Sequence, residues 1–257
     1  MRAMLLLLIC CFVSSFTLPA VAAQPGRVGA ELGLVELPVA QASSAPMVVF
    51  MSGDGGWAAL DKGLSAQLQA HGMPVVGWSS LSYYWKKKTP EQATADLVRI
   101  LTEYQSRWGR QRWLLVGFSF GAEIVPFVIN RLPPAYRGSL AGAVMLSPST
   151  ASDFEIHVSD MVVHDKGGSY PTLPEVTRIQ TLPLLCVQGA EDDSPVKLCP
   201  RLQQPNVTTV TLPGSHHFDD NYQTLYQEIA GHLGLAPCNC PGGRHAGIRA
   251  DLRAGTS

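Results

Sequence analysis

The sequence predicts a doubly wound α/β fold, a mostly parallel sheet flanked by helices. Strand-length runs of Val, Leu and Ile alternate with helix-length amphipathic segments, the order that builds parallel strands joined by crossover helices. The strand runs are continuously apolar, as they must be when helices cover both faces of a sheet. A chain of 257 residues, 46% of them apolar, is long enough to bury one large core and is read as one domain.

The elements follow in order. Arg2, the apolar run "MLLLLICCFVSSF" and the small residues of "LPAVAA" mark residues 1–23 as a secretory signal peptide cut near Ala23. Residues 24–235 then form the domain, and 236–257, rich in Gly, Arg and Ala, a disordered tail. "LGLVELPV" is the first strand and "PMVVFMSG" the second, ending at a glycine turn. "AALDKGLSAQLQAHG" is a helix closed by Gly72, and "MPVVGWSS" the next strand. "TPEQATADLVRILTEYQSRWG" carries Thr89 as N-cap, Pro90 at the first helical position and Gly109 past the end. "RWLLVGF" is a buried strand, "GAEIVPFVINRL" a helix and "LAGAVMLSPS" a strand. Residues 147–180 break the alternation and read as an insertion on the C-terminal side of that strand, either a small cap over a site or an ordinary long loop. "TLPLLCVQG", a helical "SPVKLCPRLQ", the strand "NVTTVTLPG" and the helix "DNYQTLYQEIAGHLG" complete the pattern.

Composition excludes some functions. A net charge of -1 is not that of a nucleic-acid binder. An even set of cysteines outside the leader, Cys186, Cys199, Cys238 and Cys240, suits an oxidising compartment. Cys186 and Cys199 are close enough in sequence to pair. Cys238 and Cys240 with His245 do not match a zinc spacing. No metal or other cofactor is expected.

The chemistry is carried by "VGFSFGAE", between a strand and a helix. It puts Ser119 in Gly117-Phe118-Ser119-Phe120-Gly121, a G-x-S-x-G in the strand-turn-helix context of a nucleophile elbow, which specifies the fold as an α/β-hydrolase. The turn is too tight for side chains two positions either side of the serine. A serine nucleophile needs a base, and the base an orienting acid, in the order Ser, Asp, His. "AEDDSP" after one strand offers Asp192, with Asp193 and Glu191 as rivals. "SHHFDDNY" after the next offers His216, with His217 as the alternative. "MSGDGGW" follows the second strand, where such folds place an oxyanion donor. The backbone N–H groups of Phe120 and Asp54 are the expected pair. The Asp54 side chain would repel an oxyanion and must point elsewhere. The glycine turn lacks the Lys-Ser/Thr ending of a phosphate loop and the ligand spacing of a calcium loop.

"SGDGGWAALDKGL", "YYWKKKTPEQATADL", "GFSFGAEIVPF" and "LPGSHHFDDNY" together resemble the bacterial virulence proteins VirJ and AcvB. The resemblance covers about residues 30–233. It implies an exported serine esterase in a Gram-negative periplasm that hydrolyses the aminoacyl ester of lysyl-phosphatidylglycerol at the membrane surface, and a link to type IV secretion components. Asp54, with Asp61 as a further candidate, would meet the ammonium groups of such a substrate. Lys86, Lys87 and Lys88, with Tyr83, Tyr84 and Trp85, would meet the anionic headgroup, the plainer reading being a solvated loop with an aromatic anchor in the core. A generic carboxylesterase or lipase, or a non-catalytic adaptor for the secretion apparatus, are the alternative functions.

Overall fold

The structure, a computed structural model, describes residues 27–40, 44–156 and 168–235. The expected signal peptide and the tail with Cys238, Cys240 and His245 lie outside the described residues. The elements run α1 (Arg27–Leu32), β1 (Val35–Leu37), β2 (Met47–Met51), α2 (Ala59–Ala70), β3 (Val75–Trp78), α3 (Ser80–Tyr83), α4 (Pro90–Trp108), β4 (Trp113–Phe118), α5 (Phe120–Arg131), α6 (Pro134–Ser139) and β5 (Leu140–Leu146). They continue with β6 (Ala151–Ser152), β7 (Tyr170–Pro171), α7 (Thr172–Thr177), β8 (Leu184–Gly189), β9 (Val207–Leu212) and α8 (Tyr222–His232).

One sheet of seven strands, in the order β1-β3-β2-β4-β5-β8-β9, organises the chain. Every neighbouring pair is parallel except β1–β3. This is an α/β-hydrolase fold. Alternation along β2 explains the two layers, since successive side chains leave opposite faces. Met47, Val49 and Met51 pack with residues of α4 and α5, among them Leu97 and Val125. Val48 and Phe50 pack with Leu60, Leu64 and Leu68 of α2 and with Leu225 and Ile229 of α8. Both faces of the central strands are therefore sealed. The edge strand β9 is less so, with Thr208, Thr209 and Thr211 exposed.

Helix α4 has the ends its sequence announces. Thr89 Oγ1 accepts from the Gln92 amide at 3.2 Å, and Gln92 Oε1 accepts from the Thr89 amide at 3.0 Å. Gly109 closes the helix at φ 63°. Such a cap stabilises a helix by about 1 kcal/mol.

One segment differs from expectation. "SPVKLCPRLQ" is not a helix: only a 3₁₀ turn, Cys199–Arg201, forms there. Its backbone bonds go sideways instead, Thr150 N to Val196 O at 2.9 Å and Leu198 N to Pro148 O at 3.0 Å. Pro195 and Pro200, which lack donors, disfavour the alternative. The insertion, in its described part, is the two-stranded hairpin β6–β7 followed by α7; residues 157–167 lie outside the described residues. The short helices α1 and α6, six residues each, were not anticipated.

Candidate active site

Ser119 stands between β4 and α5 with φ 50° and ψ −118°, a conformation a side chain seldom adopts. The surrounding bonds impose it. Ser119 N donates to Leu146 O at 2.8 Å, and Ser119 O accepts from the Ala122 and Glu123 amides at 2.9 and 3.2 Å. The flanking glycines are required by close approach. A Cβ on Gly117 would lie 2.5 Å from Gly121 O, and one on Gly121 would lie 2.3 Å from Met51 O. The strain is thus held by the packing of β2, β4 and α5 against one another.

His216 lies in the loop after β9. Its Nε2 is 3.0 Å from Ser119 Oγ, and its Nδ1 is 3.0 Å from Asp192 Oδ2. An ionised carboxylate only accepts, so Nδ1 carries the proton and Nε2 faces the serine hydroxyl as an acceptor. Asp192, 5% exposed, follows β8. Its Oδ2 also accepts from Gln188 Nε2 at 2.5 Å, and its Oδ1 from the Ser194 amide at 3.0 Å. The Lys197 ammonium donates to the Asp192 main-chain carbonyl. A disulfide between Cys186 and Cys199, Cα atoms 5.5 Å apart, closes the segment that carries this carboxylate. Closing a loop of that size contributes about 3 kcal/mol in the chain-entropy account.

The rivals are placed elsewhere. Asp193 and Glu191 are exposed. The His217 ring makes no hydrogen bond among the described residues and stands 5.3 Å from the Phe118 ring and 5.5 Å from that of His216. Desolvation, reinforced by the neighbouring His216, holds its pKa below the ordinary value.

The glycine turn is anchored beside the serine. Ser80 N donates to Ser52 Oγ at 2.9 Å, and Ser80 Oγ donates to Ser52 O at 2.5 Å, tying the turn to the start of α3. A Cβ on Gly53 would lie 3.5 Å from Ser119 Cβ, so this backbone passes directly over the elbow. Neither Phe120 N–H nor Asp54 N–H has an acceptor among the described residues.

The other expected contacts sort differently. Asp61 is buried, and its Oδ2 accepts from the Ala58 amide at 2.9 Å at the start of its own helix. Burial pushes its pKa up to about 6. Tyr83 and Tyr84 belong to the core rather than to an exposed interface. The Tyr83 hydroxyl donates to Asp96 at 2.6 Å, and the Tyr84 ring packs 5.0 Å from that of Phe120. Trp85 is 55% exposed, and Lys86 and Lys87 are exposed beside it. The Lys88 ammonium sits 4.6 Å over the Tyr83 ring.

Sequence reasoning passed over three residues that shape the site. Gln188 holds Asp192. Ser147, itself at φ 47°, donates from Oγ to the His216 carbonyl at 3.2 Å. Glu123, one turn along α5 from Ser119, is buried, and burial pushes its pKa up to about 8. Its signal was available: a lone carboxylate in the apolar run "GAEIVPFV".

A family model described as "Bacterial virulence protein (VirJ)" matches residues 45–235. No curated protein sequence matches the chain. Among solved structures, a proline iminopeptidase from Mycobacterium smegmatis superposes with a TM-score of 0.56 at 14% identity, over 78% of this chain and 93% of that one. An esterase from Pyrococcus furiosus gives 0.56 at 16% identity, over 84% and 96%. Est1E from Butyrivibrio proteoclasticus, with ferulic acid bound, gives 0.53 at 12% identity, over 78% and 95%.

Proposed function

The chain belongs to the VirJ family of bacterial virulence proteins, and from that premise we propose that it is an exported serine esterase that cleaves the aminoacyl ester of lysyl-phosphatidylglycerol. The observation that carries this reading is the hydrogen-bonded series Ser119–His216–Asp192, at 3.0 Å and 3.0 Å, beside the unengaged amides of Phe120 and Asp54. Ser119 Oγ adds to the ester carbonyl carbon while His216 Nε2 takes its proton. The two amides receive the negative oxygen. Collapse breaks the bond to the glycerol oxygen, which leaves with the proton from His216. The lysyl–serine ester is then opened by a water that gives its proton to His216, and lysine departs as Ser119 recovers a proton. Asp192 keeps the imidazole in the required tautomer throughout.

The substrate assignment rests on charge placement. Asp54 puts a carboxylate at the oxyanion turn, where the α-ammonium of a lysyl ester, next to the carbonyl, would stand. Trp85, Lys86 and Lys87 form an exposed aromatic and basic surface past α3, suited to an anionic headgroup at a membrane. Lys88, engaged with Tyr83, contributes less.

The experiment is release of lysine from vesicles containing lysyl-phosphatidylglycerol. Ser119→Ala is expected to lower turnover by roughly 10⁴-fold or more. Undiminished turnover by that variant would sink the mechanism. Equal hydrolysis of simple neutral esters would leave a generic carboxylesterase. A folded protein that resists a fluorophosphonate probe would leave the adaptor.

A further inference from the structure

The face of α5 that follows the elbow is mostly aromatic, and the exception is Glu123. Phe120 and Phe127 lie on that face, as the helical period requires of positions three back and four on. The Tyr84 ring is 5.0 Å from that of Phe120, and the Phe154 ring is 5.2 Å from that of Phe127. Glu123 sits between them, 8% exposed, with the Ser149 and Ser152 hydroxyls beside its carboxyl.

No cation faces it among the described residues. Among the described residues, the charged group acting on it is another carboxylate, Asp54. The charged groups on neighbouring elements are engaged elsewhere. Glu91 and Glu175 pair with Arg131 at the far end of α5, Lys197 donates to the Asp192 carbonyl and Lys88 lies over Tyr83. Buried carboxyls are ordinarily paired or satisfied by hydrogen bonds, because desolvation otherwise penalises their charge. A second observation points to a charged form made ready for a cation. The Ser149 hydroxyl and amide and the Ser152 hydroxyl stand beside this carboxyl and favour its ionised form, although Ser152 Oγ, 3% exposed, falls short of a well-formed hydrogen bond and burial outweighs all three.

We infer that Glu123 is a specificity-determining residue whose carboxylate receives the terminal ammonium of a cationic acyl group while the ester lies at Ser119. The inference rests on the hydrolase reading and names the residue that would select its acyl group. One helical turn, about 5.4 Å, separates Glu123 from the nucleophile along α5. That distance suits a charge at the end of a side chain rather than one adjoining the carbonyl carbon. Asp54 adds a second negative charge at the mouth of the same site. Binding carries a proton balance. The empty carboxyl holds its proton, since burial pushes its pKa up to about 8. Pairing with the substrate ammonium requires the carboxylate, so the carboxyl proton passes to solvent as the substrate binds.

The test compares kcat/KM for lysine methyl ester with that for norleucine methyl ester, which lacks the terminal ammonium. Both share the α-amine, which cancels in the ratio. Glu123→Gln is expected to lower the lysine-to-norleucine ratio by about tenfold or more, the effect of removing one partner of a buried charge pair. An unchanged ratio overturns the assignment. Should the variant fold poorly, the wild-type protein supplies the second measurement. Its ratio is expected to rise several-fold from pH 6 to pH 8 as Glu123 gives up its proton more readily, and a flat ratio overturns the assignment. A wild type that hydrolyses norleucine and p-nitrophenyl esters without preferring lysine overturns this inference alone. One that hydrolyses no ester overturns the hydrolase reading with it.

Discussion

Two buried carboxyls lie on opposite sides of Ser119, and their surroundings differ. Asp192, on the β8 side, accepts from Gln188, Ser194 and His216, so both of its oxygens are satisfied. Glu123, on the α5 side, has the Ser149 and Ser152 hydroxyls and the Ser149 amide beside it but faces another carboxylate, with no cation among the described residues. Saturated bonding fixes a geometry: it holds the Asp192 charge in place and with it the imidazole. A buried carboxyl without a counter-charge stores a preference that a ligand can satisfy. On this view the β8 side is built to keep one arrangement, and the α5 side to select among substrates.

The largest break in that comparison comes from removing the charge on the saturated side. Asp192→Asn keeps the volume and offers an amide where a carboxylate accepted from Nδ1. The imidazole is then held in the wrong tautomer, with Nε2 unable to take the serine proton. Turnover is expected to fall by about 10⁴-fold, with the fold retained by circular dichroism. Lysine and norleucine esters should suffer alike, because this carboxylate acts through His216. A loss confined to the lysine ester would mean that Asp192 reads the substrate, and the contrast with Glu123 would collapse.

The second break concerns stability, and it has the opposite sign on the α5 side. Burial raises the Glu123 pKa from its ordinary 4.5 to about 8. Between those values the folded chain keeps a proton that the unfolded chain has lost. The folded state therefore binds more protons, and stability falls as pH rises through this window. Glu123→Gln removes the charge and the slope together. The variant is expected to be more stable than wild type at pH 8, by about 2 kcal/mol as an order of magnitude after allowing for relaxation of a buried charge. At pH 5 the two should be nearly equal. Asp61, raised by burial to about 6, contributes its own slope at lower pH in both proteins, so the difference between pH 6 and pH 8 isolates Glu123. Denaturant melts at the two pH values would decide it, and a wild type as stable as the variant at pH 8 would contradict a buried carboxyl without a counter-charge.

What the sequence made legible follows the same division. Ser119, Asp192 and His216 were reachable because each follows a strand whose apolar run is plain in the text, and the elbow glycines flag a turn. The sheet was legible for the same reason, since β2, β4, β5 and β8 are buried throughout. The segment after Asp192 was misread as a helix, because its apolar spacing is helical while its backbone bonds go to residues 148–150. At Tyr83 and Tyr84 two readings stand, a headgroup surface beside three lysines and a solvated loop with an aromatic anchor in the core, and both rings turn inward as the second requires. Ser147 acts on a partner 69 residues away, a relation no local pattern encodes, whereas Gln188, four residues before Asp192, and Glu123, a lone carboxylate in an apolar run, left local signals.

The smallest expected effect sharpens the saturated side. Ser147 occupies φ 47°, and its Oγ donates to the carbonyl of His216 at 3.2 Å. Its amide also donates to Val187 O at 2.8 Å, a bond no side-chain change removes. Two substitutions separate the hydroxyl from the backbone strain. Ser147→Ala removes the hydroxyl and keeps a Cβ in the left-handed region, so it should lower stability by about 1 kcal/mol. Ser147→Gly removes the same hydroxyl but relieves the strain, which offsets a loss of that size. If the hydroxyl positions His216, both variants should show a similar several-fold fall in kcat with little change in KM, although their stabilities differ. Activity that instead followed stability would show that Ser147 supports the fold alone, and that Asp192 suffices to orient the imidazole.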